Sequence, residues 1–209
     1  MRFGKGLVPA GAAVLLLAAL AVHAPETDAA VKTASISKNE VPMVTDVGAT
    51  AKPLTNGVTI YVSKMQNTVT LKQYGREIGV YPASLGSNSR SGDKEAQGDR
   101  RTPSGNFYVC TLNDQSAYHL ALGLSYPDIA DADRGLKDGI ITQEEHDAIV
   151  DAINKKEKPP WDTALGGAIE IHGNRYEGGG TAGCIAVDDE VMDILWQYCV
   201  LGVPVTVGP

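Results

Sequence analysis

A mainly β domain of α+β character, interrupted by a helical insertion and finished by one more short helix and a strand, is what this sequence predicts. Three observations carry that expectation. Short segments in which apolar and polar residues alternate recur from Gly57 onward, separated by turn residues. The alternation stops between Tyr126 and Trp161, where apolar residues recur at helical spacing. It resumes at Ile169 and ends at Val207.

The elements follow in order. Ile60 and Val62, then Val69 and Leu71, alternate on either side of Gln66-Asn67, which reads as a hairpin over Gly57 to Leu71. Tyr74-Gly75-Arg76 turns into a third strand at Ile78-Gly79-Val80-Tyr81. Ser87 to Arg101 is polar and glycine-bearing, so an exposed loop is expected. Phe107 to Leu112 and His119 to Leu124 read as two more strands. In the insertion, Thr142 and Glu145 have capping-box spacing. Ala148, Ile149, Ala152 and Ile153 then form one apolar stripe, and Lys155, Lys156 and Pro159-Pro160 end the helix. Asp131-Ala132-Asp133 and Asp138-Gly139 invite a calcium loop, but Gly135 and Thr142 stand where further ligands belong, so a solvated, turn-rich loop is preferred. Asp188 reads as an N-cap, with Val191, Ile194, Leu195 and Tyr198 as the inward face of a short helix. Val203 to Val207 is the last strand.

Arg2 and Lys5 precede an apolar run from Leu7 to Val22, and Val22-His23-Ala24 offers small residues for cleavage. Residues 1–24 therefore read as an export signal or, failing cleavage, an N-terminal anchor that would associate with the membrane. Residues 25–56 read as a linker or mobile arm, and residues 57–209 as one domain. The expected location is the periplasm or the cell exterior. The chain has 209 residues and a net charge of −7, without a Lys/Arg cluster, which argues against nucleic acid as a partner. Of three cysteines, Cys110 and Cys199 lie in apolar segments and read as buried free thiols, a disulfide between them being the sharper alternative. His119, His146 and His172 are scattered without metal-ligand spacing, so no metal is expected.

The chemistry concentrates at Cys184, in Thr181-Ala182-Gly183-Cys184-Ile185-Ala186-Val187, and at His172, twelve positions upstream in Ile169-Glu170-Ile171-His172-Gly173. If both segments are strands, Ile169, Ile171, Ile185 and Val187 face the core. Glu170, His172 and Cys184 then face a cleft. A thiol beside an imidazole suits acyl transfer, in which the thiolate attacks a carbonyl and the base takes its proton. The Gly183 and Cys184 amides are candidates for an oxyanion hole. Arg100 and Arg101 are candidates for a substrate carboxylate. Tyr176 with Gly178-Gly179-Gly180 is a candidate flap. Glu170 either tunes His172 or forms a salt bridge with Arg175 or Arg101.

These motifs resemble the L,D-transpeptidase (YkuD-like) catalytic domain of bacterial cell-wall enzymes. The supports are the opening hairpin, Tyr81-Pro82-Ala83-Ser84-Leu85-Gly86, Gly98 to Phe107 with its Thr102-Pro103-Ser104-Gly105, Ile171-His172-Gly173, and Thr181 to Ile185. The resemblance covers nearly all of Gly57 to Val207 and points to a subgroup with a longer middle insertion. It implies a YkuD-like β-sandwich or barrel of mixed sheets, with a short helix after the catalytic Cys. It implies Cys184 as nucleophile, His172 as base, the Gly173 carbonyl as its orienting group, and Thr181 among the substrate-binding residues. The substrates implied are peptidoglycan stem peptides, donor and amine acceptor, handled by a monomer without cofactor. This chain has Ala182 where the family often has His, and Ala186 where it often has Arg or Asn. A thiol L,D-carboxypeptidase or hydrolase, acting on stems or on protein–peptidoglycan links, and a non-catalytic wall-binding module are the alternatives.

Overall fold

The computed structural model describes residues 55–209, so the readings for residues 1–24 and nearly all of 25–56 lie outside the described residues. Strands β1 (Val58–Ser63) and β2 (Thr68–Gln73) form the expected hairpin. Asn67 takes the left-handed conformation (φ 52°) that its short amide side chain tolerates, at the end of the turn. Tyr74 and Gly75 both have positive φ, the geometry of a tight hairpin turn, and lead into β3 (Arg76–Pro82).

Strands β4 (Gly105–Ser116) and β5 (His119–Leu124) follow, then two helices, then β6 (Glu170–His172), β7 (Ile185–Ala186), a third helix and β8 (Pro204–Gly208). The sheet order is β3-β2-β1-β8-β4-β5-β6-β7, with β1–β8 and β6–β7 parallel and the other pairs antiparallel. β4 joins the two halves: Gly105 to Tyr108 pair with β8, and the stretch from Val109 onward pairs with β5. The sheet then curls back on itself. Ser84, just past β3, exchanges two 2.8 Å backbone bonds with Ala186 of β7, and Gly86 bridges to Thr181. The mixed, curled sheet expected of a YkuD-like domain is therefore present.

Alternation decides what fills it. Ile60, Val62, Val69, Leu71, Val109, Leu122, Leu124, Ile171, Ile185 and Val205 all lie in one core. Helix α3 (Asp189–Tyr198) covers it with Val191, Met192 and Leu195, while Ile194 and Tyr198 pack at its margin. Burying each such side chain contributes about 1.5–3 kcal/mol.

The insertion departs from expectation at its start. Asp131 to Asp138 is not a turn-rich loop: α1 (Ile129–Lys137) runs through it. Asp128 caps the helix by accepting from the Asp131 N–H, and the Asp131 side chain accepts from the Asp128 N–H. Both of these aspartates are used for local helix starting and pairing. Helix α2 (Gln143–Asn154) begins at the expected Thr142–Glu145 box. The two helices close a small separate core of Ala132, Ile141, Ile149 and Leu165. Gly135 packs closely there: a Cβ would stand 2.9 Å from a Leu165 methyl, so Leu165 would have to shift.

The Ser87–Arg101 stretch also differs from a plain exposed loop. A 3-10 turn spans Ser89–Ser91, and Lys94 is buried with its ammonium on Asp99 Oδ1 at 2.9 Å and Ala96 O at 3.0 Å. Burial alone would raise the Asp99 carboxyl, but the N–H groups of Arg101, Glu95 and Ala96 and the Lys94 ammonium outweigh it and hold it at about 2. Thr102 is buried too, and its hydroxyl accepts from the Gly86 N–H at 2.8 Å, so the Thr-Pro-Ser-Gly motif ties this loop to the segment that closes the sheet.

Candidate active site

His172 ends β6, and Cys184 immediately precedes β7, its parallel neighbour. Ile171 and Ile185 point into the core and are fully buried. That leaves His172 and Cys184 on the other side, where both line one cleft of about 400 Å³.

The His172 imidazole is 6% exposed, and its Nδ1 lies 2.7 Å from the Gly173 carbonyl. A carbonyl oxygen can only accept, so Nδ1 carries the proton and Nε2 is the basic atom of the neutral ring. Burial lowers the imidazole below its ordinary range, against the opposing pull of that carbonyl. Gly173 is there for space: a Cβ would stand 2.4 Å from Asp189 Oδ1 and 2.9 Å from Tyr118 O. Asn174 then turns with φ 56°, its N–H held by Asp189 Oδ1 at 2.6 Å. Arg175 completes the loop with Nε and a terminal nitrogen on the two Asp188 oxygens, at 2.9 and 3.1 Å. Asp188 thus occupies the N-cap position of α3, yet its carboxylate serves Arg175 and not the helix N–H groups.

Gly173→Ala is expected to lower turnover about 100-fold, because the new methyl displaces the carbonyl that orients the base. Intact folding by circular dichroism with a KM near that of the parent chain would accompany the loss. A variant of ordinary turnover would show that the base needs no such support.

Cys184 sits in a turn knotted by Thr181. The Thr181 hydroxyl donates to Cys184 O at 2.6 Å and accepts from the Gly183 N–H at 3.1 Å. This corrects the expected oxyanion pair: the Gly183 amide is engaged, and the Cys184 N–H is the one of the two without a partner among the described residues. Gly183 has φ 142°, and a Cβ there would stand 3.0 Å from Arg101 O. The thiol donates to Ala168 O at 3.4 Å, and Ala168 itself holds a left-handed φ of 52°. Backbone of that kind is uncommon for alanine and concentrates at functional sites.

The thiol stands above its ordinary range, first because it is buried and next because of the Glu170 carboxylate; the Glu170 N–H and the Lys94 ammonium oppose this. Burial thus favours the neutral form of both the thiol and the imidazole. Alkylation of Cys184 by iodoacetamide is accordingly expected to keep accelerating with pH through 7 and 8, as the thiolate fraction grows. A plateau already reached near pH 6 would instead reveal a preformed thiolate–imidazolium pair. Cys110 and Cys199 are free thiols as well, both pushed up to about 12 by burial, so they react later.

The remaining sequence candidates are placed as follows. Tyr176 is exposed on the strap over the cleft, and its carbonyl accepts from Ser84 Oγ at 3.2 Å. Thr181 lines the cleft, though its hydroxyl serves the turn. Arg101 is turned away: its guanidinium donates to Asp93 O at 2.9 Å and lies 3.3 Å from Glu95, because the Ser87–Arg101 loop folds around it. Arg100, at φ 60°, is exposed and is not among the residues lining the cleft. With Arg101 on Glu95 and Arg175 on Asp188, neither expected salt bridge to Glu170 forms. The half-buried Glu170 carboxyl is raised by burial.

Tyr118, whose ring stacks on His172, and Asp189 were missed from sequence, and Asp188 was read as an N-cap alone; the two aspartates pin the loop after His172. The paired acids at a helix start were a visible signal for the last two. Nothing local marks Tyr118, since its partner is 54 residues away.

A family model described as the L,D-transpeptidase catalytic domain, YkuD, matches residues 57–207. No curated protein matches the chain. Similar solved structures include a variant of the helical cell shape determining protein Pgp2 from Campylobacter jejuni, 20% identical, with a TM-score of 0.50 over 73% of this chain and 47% of that one. Bd1075 from Bdellovibrio bacteriovorus is 21% identical, with a TM-score of 0.48 over 74% and 48%. An L,D-transpeptidase from Xylanimonas cellulosilytica is 17% identical, with a TM-score of 0.43 over 74% and 61%. The chain spans about half the length of the first two. The likeness to Pgp2 is one of fold. Since the family model runs from the opening hairpin through the last strand, the chain belongs to the YkuD family of L,D-transpeptidase catalytic domains.

Proposed function

We propose that this protein is a cysteine-dependent L,D-transpeptidase acting on peptidoglycan tetrapeptide stems. The observation that carries the reading is the 2.7 Å contact of His172 Nδ1 with the Gly173 carbonyl. With Nδ1 committed to Gly173 O, Nε2 is left as the basic atom of a ring that shares its cleft with Cys184. In the proposed reaction the Cys184 S–H proton passes to Nε2 as sulfur bonds to the carbonyl carbon on the L-centre side of the scissile peptide. The carbonyl electrons move onto oxygen, beside the Cys184 N–H. His172 returns the proton to the departing nitrogen, terminal D-alanine leaves, and a thioester remains. An amine of a second stem then attacks the thioester and gives its proton to His172, which passes it to the departing sulfur as the C–S bond breaks, leaving a cross-link, the free thiol and a neutral imidazole.

Hydrolysis of the same thioester is the second reading. Ala182 and Ala186 favour it, because they present methyl groups to the cleft and supply no polar contact to hold an acceptor stem. Export through residues 1–24 to the periplasm or cell exterior belongs to the proposal, as does action by a monomer.

The test is intact mass after residues 25–209 meet a disaccharide-tetrapeptide, beside Cys184→Ala. An adduct that has lost D-alanine, with a cross-linked dimer, supports transfer. A trimmed tripeptide without dimer selects hydrolysis. Bound muropeptide with neither adduct nor product would reduce the protein to a wall-binding module.

A further inference from the structure

Among the contacts of His172, one is made by a residue with no assigned role. The Tyr118 ring lies over the imidazole with centroids 4.7 Å apart and planes 30° apart, a stacked arrangement. We infer that Tyr118 is the positioning residue for the base: its ring covers one imidazole face, fixes the ring plane and keeps water from it. The inference rests on the acyl-transfer reading for its kinetic part alone.

The placement is built from three sides. Tyr118 stands at the tip of the β4–β5 hairpin, its N–H on Ser116 Oγ at 3.0 Å, and the next residue, His119, turns with φ 72°. His119 Nε2 meets Asp193 Oδ1 of α3 at 2.8 Å, tying the tip to that helix. The Gly173 N–H donates to Leu120 O at 3.2 Å, and Tyr118 O is one of the atoms that leave no room for a side chain at Gly173. One hairpin tip thus supports both the imidazole and the carbonyl that orients it. Tyr118 remains 50% exposed, so the contact to His172 is made with the cleft still open.

A stacked ring matters because His172 has two demands to meet. Nδ1–H must stay on Gly173 O while Nε2 faces the thiol, which fixes the ring plane as well as its position. The ring must also be neutral to accept a proton, and burial serves that end. The charged groups packed around this loop are engaged elsewhere. From the start of α3, the N-cap residue Asp188 holds Arg175, Asp189 holds the Asn174 N–H, and Asp193 holds His119. From the cleft side, Cys184 donates to Ala168 O. Glu170 is on the same strand, and Tyr118 and Tyr176 line the same cleft. Lost burial is therefore the effect a Tyr118 truncation exposes.

The test compares Tyr118→Phe, Tyr118→Leu and Tyr118→Ala by two readouts. The first is an NMR pH titration of His172 in each protein, which needs no substrate. The second is kcat/KM for D-alanine release against pH. Tyr118→Phe is expected to keep both within about 3-fold of the parent. Tyr118→Ala and Tyr118→Leu are expected to lower kcat/KM about 10- to 100-fold. In Tyr118→Ala the His172 titration also moves up toward its ordinary value, carrying the acid limb of the rate profile with it. If Phe fails as Ala does, the hydroxyl and not the stack is at work, and the inference falls. If Ala or Leu behaves as the parent chain in both readouts, it also falls. Should the parent chain release no D-alanine, the acyl-transfer reading fails, and the titration alone still decides whether Tyr118 holds and shields the base.

Discussion

Cys184→Ala is expected to abolish adduct formation and lower stem turnover by at least about 10⁴-fold, since the bond-forming atom is gone. The effect should be confined to chemistry. Cys184 is half-buried at a turn whose shape depends on Thr181 and on the positive φ of Gly183, and both are untouched by the change. The melting temperature should therefore stay within a degree or two of the parent, and muropeptide binding should persist. Cys184→Ser should do little better, because a hydroxyl with a neutral imidazole for a base is the weaker nucleophile. Residual D-alanine release by Cys184→Ala at more than a hundredth of the parent rate would place the nucleophile elsewhere.

The largest expected effect on stability comes from Asp99. Its Oδ2 accepts from the Glu95 N–H at 2.7 Å and the Ala96 N–H at 3.2 Å, and its Oδ1 from the Arg101 N–H at 3.0 Å and the Lys94 ammonium at 2.9 Å. Lys94 is almost completely buried, with its side chain 3% exposed. Asp99→Ala strands that ammonium and several N–H groups, and breaking one side of a buried pair costs about 3–5 kcal/mol. Denaturant unfolding should read this as a lower midpoint, with Asp99→Asn falling between. The loop also abuts the site through Arg101 O against Gly183, so activity should drop with stability. The pH dependence has a definite sign. The folded carboxyl titrates at about 2, below the roughly 3.9 of an unfolded aspartate, so its contribution is complete above pH 4 and lost as pH falls through 2. A change under 1 kcal/mol in Asp99→Ala would show that water replaces the carboxylate without cost.

Much of the fold was legible because strands announce themselves through alternation. Ile60, Val62, Val69 and Leu71 are core residues for the same reason that they were read as one face of a hairpin. The site pair was legible by the same rule. Once Ile171 and Ile185 go inward, His172 and Cys184 must turn outward together. Helix α1 was harder, since its acidic and glycine residues have the composition of a turn, and its one strong signal, the Asp128–Asp131 box, lies beside other aspartates.

What the sequence determined by itself is local: where strands and the α2 cap fall, which faces are apolar, and that a thiol and an imidazole share a surface. Tertiary structure decided the rest, because those choices depend on groups brought together from far along the chain. Arg101 bonds within its own loop and not to the cleft, since Asp93 and Glu95 fold around it. Arg175 chose Asp188 over Glu170 when the α3 start was placed beside the loop. The Gly183 amide went to a hydroxyl two residues away, which only the turn's geometry brings into reach. Tyr118 met His172 because β5 pairs with β6, a register no single segment encodes.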